Sequence, residues 1–304
     1  MNRKLRAALL PLPAAGVLAA AIWGGLWYRS RGLDTAEDLK RLPITDAVVV
    51  SVDFAALRRA GVLNLLESSK VAVEPEYQEF ERQIDFNYQR DLDSAVMAVA
   101  PTGKFLLVRG RFNWKRLRAY VESQNGHCDG SLCRFEGSTP ERRISFFPVR
   151  ANLMALAVSP DASAALRLST PNEGALFEVP AAPLWVSVPA PVLQSGENLP
   201  AETRSFAQTL ARANSVVLAF IPEAKRFAAR LEVRCRSNQD AAELAAQLNR
   251  LTALLRQTFA SENKAPNPAD LTGVLAGGSF AEVDRRVTGY WPIERAFLQN
   301  LLGG

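Results

Sequence analysis

Asp91 and Asp93, two residues apart in the run QRDLDSAV, are the strongest candidates in this sequence for acid–base or metal chemistry. In an extended chain alternate side chains point the same way, so both can face one metal ion or act as the acid and base of a hydrolysis. The structural alternative makes them the charged entrance to a strand, paired with Arg90 and Arg82. It is preferred, because a calcium loop needs more oxygen ligands and a glycine at fixed spacing.

Cys128 and Cys133 enclose four residues, with His127 beside them. A zinc site built on His127, Cys128 and Cys133 lacks a nearby fourth ligand, since His127 is the only histidine and Cys235 lies far along the chain. A redox dithiol takes the C-x-x-C spacing, which is absent. In an oxidising compartment the pair reads first as a disulfide, then as a metal site, then as a redox couple. Cys235 falls on the apolar side of an alternating strand, Phe227–Arg236, and reads as a core thiol.

Other catalytic patterns fail. One histidine leaves a Ser-His-Asp or Cys-His apparatus without support, and no G-x-S-x-G occurs. Gly273, Gly277 and Gly278 in GVLAGGSF have neither the spacing nor the Lys-Ser/Thr of a phosphate loop. Trp114 and Tyr120, on a helix with Lys115, Arg116 and Arg118, can form a cation–aromatic contact surface or pack in the core. No catalytic residue, cofactor or metal is expected.

The elements behind these residues begin with Ala7–Tyr28, twenty-two residues without a charged side chain. A bilayer core needs about 20 apolar residues, so this run is long enough to cross once. A cleaved signal peptide with a site near Ala19–Ala21 competes, but the apolar run continues past it to Tyr28. Arg3, Lys4 and Arg6 flank one side and Arg29 and Arg31 the other, so charge alone barely sets the orientation. A short basic tail is easier to keep in the cytosol than to translocate. A single-pass bacterial inner-membrane protein is therefore expected, with its large C-terminal body outside the cytosol.

Charge agrees with that division. The chain carries 36 basic and 31 acidic residues, and residues 1–32 hold five of the basic and none of the acidic ones. The body is thus neutral, and nucleic acid, which needs a basic face, is not an expected partner. The expected partners are the membrane, through the N-terminal helix, and an envelope protein.

Beyond the anchor, residues 29–43 read as a stem, 44–168 as a first α+β domain, 169–183 as a Pro/Ser/Gly-rich linker and 184–304 as a second α+β domain. Segments recur in order: VVSVDFAAL (49–57) with WVSVPAPVL (185–193), FERQI (80–84) with FAQTL (206–210), DSAVMAVAP (93–101) with NSVVLAFIP (214–222), and AVSPDASAAL (157–166) with GYWPIERAFL (289–298). The order points to an internal duplication. Each half reads β-α-β-β-α-β, so the expected fold is two related ferredoxin-like units. Asp53, Asn113 and a Ser237/Asp240 box are the expected helix caps.

With its anchor, the sequence Leu42-Pro43 with Asp46-Ala47 before a strand, and its strand–helix repeats, the chain resembles uncharacterised bacterial single-pass membrane-anchored proteins with an extracytoplasmic α+β body. The resemblance implies location and architecture and transfers no residue role. The expected function is a non-enzymatic, membrane-tethered binding or scaffold protein. The alternatives are an envelope hydrolase using Asp91 and Asp93, or a carrier of lipid or another small ligand in a cleft between the halves.

Overall fold

The structure is a computed structural model that describes residues 35–67, 75–137, 139, 142–172, 178–195, 209–210, 213–223 and 226–303. The expected anchor Ala7–Tyr28 lies outside the described residues, and among them no helix is long and apolar enough to cross a membrane.

β-branched and aliphatic runs supply the strands. Among the described residues these are β1 (Val48–Val52), β2 (Leu92–Ala100), β3 (Gly103–Gly110), β4 (His127–Asp129), β5 (Leu132–Glu136) and β6 (Arg143–Arg150). They continue with β7 (Leu153–Ser159), β8 (Leu184–Pro189), β9 (Ser215–Pro222), β10 (Phe227–Arg234), β11 (Ser279–Val283) and β12 (Arg286–Ile293). All twelve join one sheet in the order β11-β12-β10-β9-β8-β1-β2-β3-β7-β6-β5-β4, and every pairing is antiparallel.

Among the described residues, besides helical residues at 35–39 and 209–210, the helices are α1 (Phe54–Arg59), α2 (Val62–Glu67), α3 (Pro75–Ile84), α4 (Tyr88–Asp91), α5 (Trp114–Ser123), α6 (Ala190–Ser195), α7 (Asn238–Ser261), α8 (Leu271–Ala276) and α9 (Arg295–Gly303). The expected caps form. Asp53 accepts the Ala56 N–H at 2.7 Å and Asn113 that of Arg116 at 3.2 Å. Ser237 accepts the Asp240 N–H at 3.1 Å and donates to the Asp240 carboxylate at 2.8 Å.

Two expectations change. A split βαβ unit keeps another strand between the two it connects, whereas β1 pairs directly with β2, Val50 opposite Met97. The arrangement is therefore a mixed α+β fold dominated by an antiparallel sheet, without ferredoxin-like strand order. Nor does 169–183 separate two sheets, because β1 and β8 bond to each other, Val50 opposite Val186. Both strands are apolar except for Ser51 and Ser187, and pairing them satisfies two backbone edges that would otherwise lie open.

The stem is also shorter than expected. Leu39 and Leu42 are 1 % and 2 % exposed and lie in the core with Phe105, Leu107 and Leu153. Asp38 holds Arg109 through two hydrogen bonds of 2.8 and 2.9 Å, and Arg41 donates to the carbonyls of Leu168 and Ser169. Residues 35–47 thus cover one face of the first half-sheet, together with the 3-10 turn Ala164–Leu168. On the opposite face, α3 and α5 cover the outer strands of the first half and α7, α8 and α9 those of the second. The remaining face of the second half presents Arg230, Arg234, Arg286 and Thr288 to solvent, the polar side of a one-sided antiparallel sheet.

Candidate functional site

Asp91 ends α4 and is 5 % exposed. Asn87 starts that turn, its side chain accepting the N–H groups of Gln89 and Arg90 at 3.1 and 3.2 Å. The Asp91 carboxylate accepts the Asn87 N–H at 2.9 Å and two bonds from Arg90, at 3.0 and 2.7 Å. Arg111 approaches the same carboxylate at 3.1 Å. The Arg90 hydrogen bonds hold its pKa down from 3.8 to about 2 against the opposing effect of burial, with help from the Asn87 N–H and the two positive charges.

A carboxylate so held stays ionised at neutral pH and is a weak base. What it does is mechanical: it ties α4 to the end of β3, where the Arg111 N–H also donates to the Asp91 carbonyl at 2.9 Å. Of the expected partners Arg90 is one, while Arg82 pairs with Glu79. Arg111, far along the chain and just past the end of β3, had no local sequence signal tying it to this carboxylate.

Asp93 is not brought beside it. The β2–β3 register slips between Leu92 and Ser94, so exposed Asp93 sits at a bulge with no residue opposite. Alternation requires both residues in one regular strand, and here one ends a helix while the other lies on an irregularity. A surface hollow of about 580 Å³ opens over Arg90, Asp91, Arg111, Trp114 and Asn152, and Asp93 does not line it.

Cys128 and Cys133 form a disulfide directly across the β4–β5 hairpin, with Cα atoms 4.0 Å apart. His127 is exposed and lies opposite Arg134, a cation and not a ligand. Among the described residues no group of three or more His, Cys, Asp or Glu side chains is placed to hold a metal. Cys235 is a free, buried thiol whose pKa is raised by burial first and then by the nearby Asp240 charge. In GVLAGGSF, a Cβ at Gly273 would stand 1.7 Å from the Asn267 carbonyl oxygen and one at Gly278 2.5 Å from the Trp291 indole nitrogen. Those glycines serve close packing. Trp114 donates to the Ala151 carbonyl at 2.9 Å and packs on Phe112, and Tyr120 meets Phe80 edge-on, so both rings belong largely to the core.

The least expected feature is on the helix-bearing face. Following the paired residues across the sheet gives one row with one residue per strand. It runs Cys128–Cys133–Phe146–Leu156–Leu106–Met97, then Val50–Val186–Leu218–Leu231–Gly289–Phe280. Directly opposed residues share a face, so all twelve point to the same side, and none carries a polar side chain. Covering helices bury both ends: Cys133, Phe146, Leu231 and Phe280 are at most 8 % exposed. The centre is only half covered, from Leu156 through Val186, and Leu218 is 44 % exposed. Most members sit in readable apolar or alternating runs, but the row exists only through the register of eleven pairings, which composition does not encode.

No protein-family profile matches the chain, and no curated protein matches it. Among solved structures it is similar to TP0453 in crystal forms IV, I and III, at 9 %, 10 % and 8 % sequence identity with TM-scores of 0.47, 0.47 and 0.48. The match covers 84 % of this chain in each case, and 92 %, 92 % and 93 % of the respective TP0453 chains.

Proposed function

We propose that this chain is a membrane-tethered, extracytoplasmic binding or scaffold protein that docks an envelope protein on the centre of its apolar row. The carrying observation is the half-covered stretch Met97–Val50–Val186–Leu218 in the middle of a sheet whose flanks are well buried. A contiguous apolar surface rimmed by packed helices gains free energy when a partner covers it. The hydrolase alternative loses its main support in the Asp91 ion cluster, which holds the carboxylate ionised and leaves Asp93 apart.

The internal duplication belongs to the same reading. Outward from the β1–β8 pair, the strands run β1-β2-β3-β7 on one side and β8-β9-β10-β12 on the other. The matches 49–57/185–193 and 93–101/214–222 begin on β1 and β8 and cover β2 and β9. They equate Val50 with Val186 and Met97 with Leu218. Val50 and Val186 also pair with each other, as two copies related by a two-fold axis would. On this reading the docking surface arose where two copies of one unit met.

The test is a photo-crosslinking residue placed at Leu218 in the full chain, in native bacterial membranes. A discrete protein adduct is expected there and not from Thr288, which faces solvent on the other side of the sheet. Adducts with lipid or a small molecule alone would replace the scaffold by the carrier. Equal labelling from both positions would remove the surface altogether. For location, a reporter active only outside the cytosol, fused after Gly304, is expected to be active.

A further inference from the structure

We infer that the end of the sheet bearing Arg90, Arg111 and Arg150 lies against anionic phospholipid headgroups, an orientation that rests on Ala7–Tyr28 being the membrane anchor. The chain enters the fold at this end. Asp38, buried, is clamped by the largely buried Arg109, which is the last residue but one of β3. From there residues 35–47 run along the sheet to reach β1 at its opposite end.

Only residues 29–34 separate Tyr28 from Thr35. At full extension, about 3.5 Å per residue, they span about 20 Å. The tether therefore confines the entering end to the neighbourhood of the bilayer surface. The far end, a strand length of about 25 Å away, is under no such constraint.

What stands at the confined end is basic. The side chains of Arg90 and Arg111 are 65 % and 69 % exposed, and the two share one buried carboxylate, Asp91, so the cluster keeps a positive excess. Arg150 is exposed at the end of β6, in the turn that carries Ala151 and Asn152. Trp114, half-buried, reaches that turn through its indole bond to Ala151 and has the amphipathic character favoured at a membrane interface. The exposed carboxylates at this end are Asp85, opposed by Arg116 at 3.8 Å, Asp93 and Asp129, and exposed Lys115 and Arg118 on α5 add to the basic side. Each basic group held near an anionic leaflet raises the occupancy of the docked state by about fivefold, within a Debye length that salt shortens.

The experiment uses the full chain in vesicles of phosphatidylcholine, with or without phosphatidylglycerol. A donor dye goes on Asn152→Cys or, at the far hairpin, on Thr102→Cys, and an acceptor dye on the headgroups. Cys235 is buried and the other two cysteines are bonded, so one site is labelled. Energy transfer from position 152 should exceed that from 102, rise when phosphatidylglycerol is present and fall in high salt. Arg150→Glu should cut the phosphatidylglycerol-dependent part about fivefold or more without altering thermal unfolding. Equal transfer from both positions, or transfer indifferent to phosphatidylglycerol, overturns the docked orientation while leaving the anchor in place. Failure of the unsubstituted chain to float with vesicles of either composition overturns the anchor and the orientation together.

Discussion

Asp91→Asn removes the charge around which Arg90 and Arg111 are gathered while keeping nearly the same shape. A carboxyl held at about 2 instead of 3.8 contributes about 2.4 kcal/mol to folding at 1.36 kcal/mol per pH unit. Because both arginine head groups are largely in water, solvent screening trims this to about 1.5–2 kcal/mol at neutral pH. The folded-state pKa lies below the unfolded one, so the contribution is complete above about pH 4 and is lost as pH falls through about 2. Urea unfolding of both proteins in mild detergent, followed by tryptophan fluorescence from pH 7 to pH 2, gives the comparison. The variant should be less stable by that amount at pH 7, and the two stabilities should converge towards pH 2. Equal stability at pH 7, or a gap that persists unchanged to pH 2, would refute a structural role for the ionised carboxylate.

Other substitutions probe other parts of the fold. Asp38→Ala leaves Arg109 buried without its carboxylate, so a loss of about 3 kcal/mol is expected in the same urea assay. Replacing both Cys128 and Cys133 with serine should cost about 2 kcal/mol, and alkylation of the unfolded unsubstituted chain without reductant should modify one thiol, not three. Asn249 exchanges hydrogen bonds of 3.0 and 3.3 Å with the Phe280 carbonyl and N–H on edge strand β11. Asn249→Leu should bare that edge and produce concentration-dependent self-association in analytical ultracentrifugation.

Local signals were the legible ones. Asp53, Asn113 and Ser237 announce helix starts because a cap is an interaction within four residues, and all three cap as expected. The buried Cys235 followed from alternation along Phe227–Arg236 in the same way. The Cys128–Cys133 bond was readable because its partners are five residues apart. What escaped were pairings over long separations. Arg109 with Asp38 turned an expected stem into part of the core, and Arg111 joined the expected Arg90 in clamping Asp91. Neither Arg109 nor Arg111 is marked as a partner by its own neighbourhood. The strand order failed for the same reason, since a β-α-β-β-α-β string fits both a split unit and the direct β1–β2 pairing found here.

The join between the halves explains why the apolar row is only half covered at its centre. Open sheets seldom exceed about ten strands, because twist accumulates from strand to strand. Here the covering is divided: the long helices α5 and α7 pack over β4–β5 and β11–β12 at the outer edges of their halves, and only the short helices α1 and α6 lie against β2 and β8. The innermost strands, β1 and β8, are farthest from both long helices. Their valines Val50 and Val186 are half-buried, and Leu218 on the neighbouring strand is left 44 % exposed. Were the halves separate domains, β1 and β8 would each be an open apolar edge, a hazard that pairing removes. Joining them exchanges two reactive edges for one continuous apolar strip. A strip across neighbouring strands offers side chains and no free backbone groups, so it selects partners by apolar shape and not by strand addition. Substituting Leu218 with aspartate should therefore abolish partner adducts formed from an adjacent crosslinker while leaving the β8–β9 ladder, and hence the fold, in place.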